Sequence, residues 1–237
     1  MPEAKDMPED GAQGVISPWR MGWVAARANF IPGLILQAVA LALVVTYYTN
    51  DAAGARLDEL ARLKDRVGFA YSATSGAFFC GLLPWFFRVA IPSLRPRRLW
   101  GDLVFSLLWW AAMCMGTDAF YRGQAMFWGA ENSVGTVILK TACDMLIFTP
   151  ITAAPLNAIS HLWKENEFSF IRTREALRGN WYRKIVMPNL VPNWMLWTPG
   201  IALVYSLPTL LQVPMANLIG CFWSLLCITI AAGGRPR

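Results

Sequence analysis

Long runs of uncharged, largely apolar residues alternate with short charged segments along this chain. The longest run covers residues 185–234, where fifty consecutive positions contain no Asp, Glu, Lys or Arg. Three shorter runs cover residues 28–50, 67–87 and 103–117, and a fourth at 134–159 is interrupted by two charges. About 20 apolar residues cross the hydrocarbon of a bilayer as a helix. The pattern therefore predicts membrane-spanning helices, with room for two in the longest run.

The number of spans depends on how that longest run is divided. Its middle reads SLPTLLQVP, and Pro208 and Pro214 favour a reversal there because each proline removes a backbone donor and blocks helix continuation. We therefore predict an all-α polytopic transmembrane bundle with six spans. The alternative is four spans, with the segments nearest the termini tilted or lying at the surface. Residues 28–234 would form a single transmembrane domain behind a polar N-terminal tail, residues 1–27.

Composition and charge agree with a membrane protein and indicate its orientation. Charged residues make up 15% of the chain and hydrophobic residues 56%, whereas about 25% of a soluble domain is charged. Most Lys and Arg fall in segments that a six-span topology with both termini inside places on the inner side. We interpret the net charge of +6 as a topology signal and as contact with anionic lipid, and we expect no nucleic-acid partner.

Small side chains recur every four residues in the second predicted span. Ser72, Gly76 and Cys80 form such a row, and the parallel row at 73, 77 and 81 widens it. Without a hydrophobic drive between helices in lipid, small residues let two backbones approach closely. We expect this face to pack within the chain, and the alternative is a homo-oligomer interface or a pore seam.

Residues 157–187 mix charged and aromatic residues at spacings that suit an amphipathic helix on the inner membrane surface. Its basic side chains would contact anionic lipid headgroups. These are Arg172, Arg174, Arg178, Arg183 and Lys184. A plain solvated connector is the alternative interpretation.

Two pairs of opposite charges lie within or at the ends of predicted spans. Lys140 and Asp144 are four residues apart in the fourth span, so an ion pair between them would lower the cost of charge in the bilayer. Such a pair either lines an aqueous path or serves only to orient the helix. Asp118 and Arg122 have the same spacing near an outer loop, where a solvated pair is favoured over a buried site.

Enzyme chemistry has little support in the sequence. His161 is the only histidine, so a multi-histidine metal site cannot be assembled, and no Walker loop, GxSxG or GxGxxG motif stands in a suitable context. The five cysteines fall inside predicted spans without metal-ligand spacing. We predict a protein that is not an enzyme and needs no metal or other cofactor.

Two motifs in the second half of the chain are its most specific features. One is KTACDMLIFTP, which contains Lys140, Asp144 and Pro150. The other is NWYRKIVMPNLVPNWMLWTP, followed by a late Val-Pro pair and a final helix with a tryptophan. Its matching residues are Trp181, Tyr182, Pro188, Asn193, Trp194, Trp197, Pro199, Val213, Pro214 and Trp223. Together they resemble the Mpv-seventeen family, which includes the twenty-two-kilodalton peroxisomal membrane protein, over about residues 55–232.

The resemblance implies a channel or transporter for small hydrophilic solutes, because weakly selective channel activity is proposed for family members. The residues that it marks as a candidate polar site inside the membrane are Lys140, Asp144, Asn193, Trp194, Trp197 and Pro199. Under this hypothesis the Lys and Asp line the path, and the later residues shape a break in the fifth helix.

The resemblance also bears on location. The segment GFAYSATSGAFFCGLLP is similar to prokaryotic relatives, so we expect a bacterial inner membrane, with the mitochondrial inner membrane or the peroxisome as alternatives. The alternative function is a non-conducting membrane organiser. It would bind lipid or a protein partner through the basic segment and the face of small residues.

Overall fold

Helices provide all the regular secondary structure in the part of the chain that the structure describes. The computed structural model describes residues 30–233 and five earlier positions, 17, 19, 20, 23 and 27. The predicted N-terminal tail therefore lies almost entirely outside the described residues. No strand occurs within residues 30–233, and the predicted all-α bundle is confirmed.

Eight helices follow one another along residues 30–233. They are α1 (Phe30–Thr49), α2 (Asp51–Val67), α3 (Phe69–Ala90), α4 (Leu99–Trp128), α5 (Val134–Glu165), α6 (Phe170–Ala176), α7 (Met187–Tyr205) and α8 (Thr209–Gly233). Helices α1, α3, α4 and α5 are long and apolar enough to cross a membrane, as an integral membrane protein requires. Helices α7 and α8, with 19 and 25 residues, have sufficient length for the remaining two spans. The count of six, with four as the alternative, stays a prediction.

The predicted reversal in the last run is present but shorter than expected. Helix α7 ends at Tyr205 and α8 begins at Thr209, so residues 206–208 alone make the turn. Pro214 lies inside α8, which corrects the prediction of a reversal from 208 to 214. One proline removes only one backbone hydrogen bond, and the buried side chain of Val213 helps to hold the helix together there.

Three π-helical segments adjust the helices to their prolines. One, Ala77–Leu82, lies in α3 just before Pro84, and another, Asp144–Ala153, lies in α5 and contains Pro150. The third, Tyr182–Val186, leads into α7 just before its proline at position 188. A proline lacks a backbone N–H and clashes with the preceding turn, and a wider turn relieves both problems. The helices therefore continue past these prolines.

Side chains from α7 and from the π-helical segment before it bind the carbonyl groups of Met145 and Pro150. In the π register, the N–H that residue 150 lacks would have bonded the carbonyl of Met145. The indole of Trp194 donates to that carbonyl instead, at 2.8 Å, and the hydroxyl of Tyr182 donates to the carbonyl of Pro150, also at 2.8 Å. Trp194 thus fastens α7 to the kinked part of α5.

The predicted break in the fifth helix is wrong. Helix α7 runs without interruption from Met187 to Tyr205, although Pro192 and Pro199 both lie inside it. A side chain from another helix supports the backbone here, because Gln37 donates its amide N–H to the carbonyl of Leu196 at 2.6 Å. Prolines in membrane helices are tolerated when neighbouring helices satisfy the backbone in this way.

The amphipathic segment predicted at residues 157–187 is divided in the structure. Its first part belongs to α5, which ends where Glu167 and Phe168 adopt left-handed backbone conformations, with φ of 58° and 63°. Only α6 then forms a separate short helix before the turn at Gly179, which has φ of 71°. Phe170 on α6 is 77% exposed, as expected for a short helix at a membrane surface.

The face of small residues on α3 packs within the chain. A Cβ atom built on Gly76 would clash with the Cys114 sulfur of α4 and lie 2.8 Å from the backbone oxygen of Trp110. Asn217 of α8 reaches the same region, where it donates to Ser75 at 2.9 Å and accepts from Cys114 at 3.2 Å. The expected intrachain packing is confirmed. A homo-oligomer stays a prediction, and it would have to form through another surface because α4 and α8 cover this face.

We predict that Gly76→Ala destabilises the bundle by about 1–3 kcal/mol, because the added methyl group forces α3 and α4 apart. Gly116→Ala is the matched control, since a Cβ atom there meets nothing within 4 Å. The measurement is unfolding of the purified protein in mixed micelles with increasing SDS. Equal stability of the two variants would contradict close packing at Gly76.

We predict that Trp194→Phe costs about 1–3 kcal/mol, because it leaves the Met145 carbonyl unpaired in a buried setting. Trp100→Phe serves as the control, since Trp100 is 77% exposed. The same unfolding measurement compares the two. A loss no larger for Trp194 than for Trp100 would show that the indole N–H does not support the kink.

Candidate functional site

A cavity of about 600 Å³ lies between α4, α5, α7 and α8. Its volume falls within the range of natural small-molecule sites. The π-helical part of α5 supplies much of the wall, including Asp144, Phe148 and Thr149. Asn193 and Trp197 of α7 line the opposite side.

The lining of the cavity is exposed at one end. At that end its lining includes Asn157, Glu165 and Asn189, all of which are exposed. At the other end the lining is buried, with Asp144 at 4% and Tyr121 at 2% exposure. Asp144 lies about 15 Å along α5 from its first residue, so the blind end is deep within the bundle. The predicted topology places the accessible end on the inner side.

A hydrogen-bonded cluster closes the blind end. The hydroxyl of Tyr205 donates to the Asp144 carboxylate at 2.9 Å, and Thr149 donates to its other oxygen at 3.3 Å. The Gln124 side-chain amide donates to the Tyr205 hydroxyl. The ring of Tyr121 packs edge-on against that of Tyr205, with 5.1 Å between centroids. Residues of α4, α5 and α7 thus meet at one carboxylate.

The predicted ion pair between Lys140 and Asp144 is absent from the structure. Lys140 is fully buried, and its Nζ has no hydrogen-bond partner among the described residues. It lies 6.0 Å from the centre of the Tyr205 ring. Because two hydroxyl groups already bind the carboxylate, Asp144 is satisfied without the lysine. Lys140 also does not line the cavity.

The α7 candidates divide between the cavity and the packing around it. Asn193 and Trp197 line the cavity, and the buried Oδ1 of Asn193 has no hydrogen-bond partner among the described residues. Trp194 fastens α7 to α5 and does not line the cavity. Pro199 lies beside a separate pocket of about 60 Å³ with Gln37.

A second buried cluster contains Asp118, which sequence reasoning expected as half of a solvated pair. Asp118 is fully buried and accepts from Lys64 at 2.9 Å, Ser72 at 2.6 Å and Arg122 at 3.2 Å. The pairing with Arg122 is confirmed, but the solvated setting is wrong because α2 covers it. Burial lowers the pKa of Lys64, against the opposing effect of Asp118.

The sequence did contain a signal for Lys64. Leu57, Ala61 and Lys64 recur at helical spacing in α2, and the first two pack toward the hydrophobic core. A lysine that continues an apolar stripe in this way needs a buried counter-charge. The sequence alone cannot say that Asp118 provides it.

The basic residues predicted at the headgroups are all exposed. They are Arg172, Arg174, Arg178, Arg183 and Lys184. Arg172 also contacts Glu167 at 3.6 Å. Nearby, Asp102 bridges Arg88 at 3.1 Å and Lys164 at 3.0 Å. Their contact with lipid stays a prediction.

Sequence reasoning assigned no site role to several residues around the cavity. Tyr205 and Gln124 belong to the blind-end cluster, and Glu165 and His161 line the cavity farther out. No protein-family model, curated protein or solved structure matches this chain. The site is therefore interpreted from its own geometry.

We predict that Asp118→Asn destabilises the protein by about 3–5 kcal/mol, because Lys64 would stay buried without its counter-charge. Lys64→Met should cost less, since Ser72 and Arg122 still bind the carboxylate. The double variant should recover part of the loss of Asp118→Asn. Unfolding in mixed micelles measures all three, and simple additivity would contradict a buried ion pair.

Proposed function

We propose that the protein moves small hydrophilic solutes across its membrane through the cavity. The observation that carries the proposal is a cavity with polar side chains in its lining, which is exposed at one end and ends deep in the bundle at Asp144. An ionisable residue inside a membrane is by default a candidate for a solute or ion path. The resemblance to the Mpv-seventeen family favours the same function, and a bacterial inner membrane is the proposed location.

The geometry corresponds to one closed state of such a path. Tyr205 and Tyr121 stand beyond Asp144, and Tyr205 is fully buried with its hydroxyl on the carboxylate. Passage to the other side requires this hydrogen bond to break and the Tyr205 ring to move. Tyr205 therefore acts as the gate in this proposal.

A second candidate function rests on α6. Phe170 and Ile171 are 77% and 74% exposed, and the basic side chains of Arg172 and Arg174 are exposed on the same short helix. Apolar and basic residues together suit an anionic membrane surface. A non-conducting organiser of membrane lipid or of a protein partner would use this helix and would not need the cavity.

We predict that Tyr205→Phe raises solute flux several-fold in proteoliposomes, because the ring stays but its hydrogen bond to Asp144 is lost. Asp144→Asn should change the rate or the preference among solutes. Tyr182→Phe is the matched control, since it also loses one hydroxyl hydrogen bond, but to the carbonyl of Pro150 instead of to Asp144. Flux of glycerol and of labelled small ions is measured at equal density of folded protein.

Two results would contradict transport. One is absent flux from folded, inserted wild type and from Tyr205→Phe. The other is equal flux from Tyr205→Phe and Tyr182→Phe with no effect of Asp144→Asn. Replacing Arg172, Arg174 and Arg178 by Gln tests the second candidate, which predicts weaker binding of anionic vesicles.

A further inference from the structure

We propose that the cavity binds a small organic ammonium ion, an inference that rests on the proposed function and names the class of its solute. Counting histidine as neutral, the charged residues that line the cavity are Asp144 at the blind end and Glu165 at the accessible end. No Lys or Arg of the described part of the chain lines it, although the whole chain has a net charge of +6. A cavity whose charged groups are all carboxylates attracts cations.

The apolar part of the lining is rich in aromatic rings. Trp110, Trp197 and Trp223 line the cavity together with Tyr121 and Phe148. The faces of such rings attract an ammonium group, most strongly in the case of tryptophan, and the attraction grows when the group loses water. The rings also contact the carbon atoms of an organic cation. This combination favours an amine over a bare inorganic ion.

Two groups at the cavity wall contain acceptor oxygens that can accept a further hydrogen bond. Each oxygen of Asp144 accepts one hydroxyl, from Tyr205 or Thr149, and a carboxylate oxygen can accept a further hydrogen bond. The Oδ1 of Asn193 is buried without a partner in the described structure. An ammonium group with N–H donors satisfies both. With histidine counted as neutral, an anion would find no cationic side chain in the lining.

A divalent metal ion fits this lining less well. Such ions take several carboxylate, imidazole or thiolate ligands close together. The described residues contain no group of three or more His, Cys, Asp or Glu side chains that could hold one. Asp144 and Glu165 stand at opposite ends of the cavity, so they cannot share one ion.

Lys140 provides a test of whether the bound ligand is a cation or an anion. Its buried ammonium lies outside the cavity lining, 6.0 Å from the centre of the Tyr205 ring whose hydroxyl binds Asp144. In its charged form it repels a bound cation from behind the closed end. Removing this charge should strengthen the binding of a cation and weaken that of an anion.

The experiment compares three probes with the same two-carbon skeleton at neutral pH. Ethanolammonium is the cation, ethylene glycol its uncharged counterpart, and glycolate the anion. Equilibrium binding to wild type in lipid nanodiscs is measured by calorimetry. We expect ethanolammonium to bind at least about tenfold more tightly than either of the others. Equal or tighter binding of glycol or glycolate would overturn the proposal.

Three substitutions then locate the site. We expect Asp144→Asn to weaken ethanolammonium binding about tenfold or more, and Lys140→Met to strengthen it severalfold. Glu175→Gln removes the same charge from an exposed position outside the cavity and should change nothing. Weakening by Lys140→Met, or equal effects of Asp144→Asn and Glu175→Gln, would overturn the proposal. If Asp144→Asn does not fold, Trp197→Leu replaces it, because it removes one aromatic ring from the lining, with an expected loss of about threefold.

Binding and transport can fail separately in this design. Calorimetry needs no passage across the membrane, so tight ethanolammonium binding without any flux would refute transport and leave the inference standing. Flux of ethylene glycol by a protein that does not bind ethanolammonium would refute the inference and leave transport standing.

Discussion

A polar group in the hydrocarbon of a membrane has no water to bind, so it must find its partner in the protein. This constraint explains how the bundle is held together, because lipid removes the hydrophobic attraction between helices. Tyr205 of α7 binds Asp144 of α5, and Lys64 of α2 binds Asp118 of α4. Each of these contacts joins helices that are distant in sequence. The close packing of small residues then fills the space between the contacts.

The same need for a hydrogen-bond partner, here of backbone groups, shapes one wall of the cavity. Pro150 cannot donate to the helix, and α5 responds with a wide π segment from Asp144 to Ala153. Trp194 satisfies the carbonyl of Met145, so the segment stays helical although it is bent. The segment supplies one wall of the cavity and carries the carboxylate at its blind end. The structural response to proline and the carboxylate of the candidate site therefore lie in the same ten residues.

The helices of this protein could be predicted from its sequence, because an uncharged run of spanning length leaves few other structures in a membrane. The cavity residues Asp144, Asn193 and Trp197 were also identified. Their partners could not be, since a periodic pattern shows which residues share a face and not which helix lies opposite. Asp144 illustrates the difference. The lysine one turn away was the evident partner, but a tyrosine from another helix binds the carboxylate.

The sequence pattern also failed to predict where two helices end or continue, because backbone conformation decides this. The amphipathic pattern of residues 157–187 continues through Glu167 and Phe168, yet both adopt positive φ and end the helix there. Neither residue type ordinarily favours that conformation. The prolines of α7 predicted a break that does not occur. A hydrogen bond from Gln37 and the packing of neighbouring helices keep α7 continuous.

The Lys64–Asp118 pair also constrains the order in which the chain enters its membrane. The two residues are 54 positions apart, and α3 lies between them in sequence. During synthesis α3 is complete before the carboxylate of α4 has been made. Until then the lysine must stay in water or among headgroups, so α2 cannot take its final position. The docking of α2 is therefore a late step of biogenesis, because it requires that α4 has been synthesised and inserted.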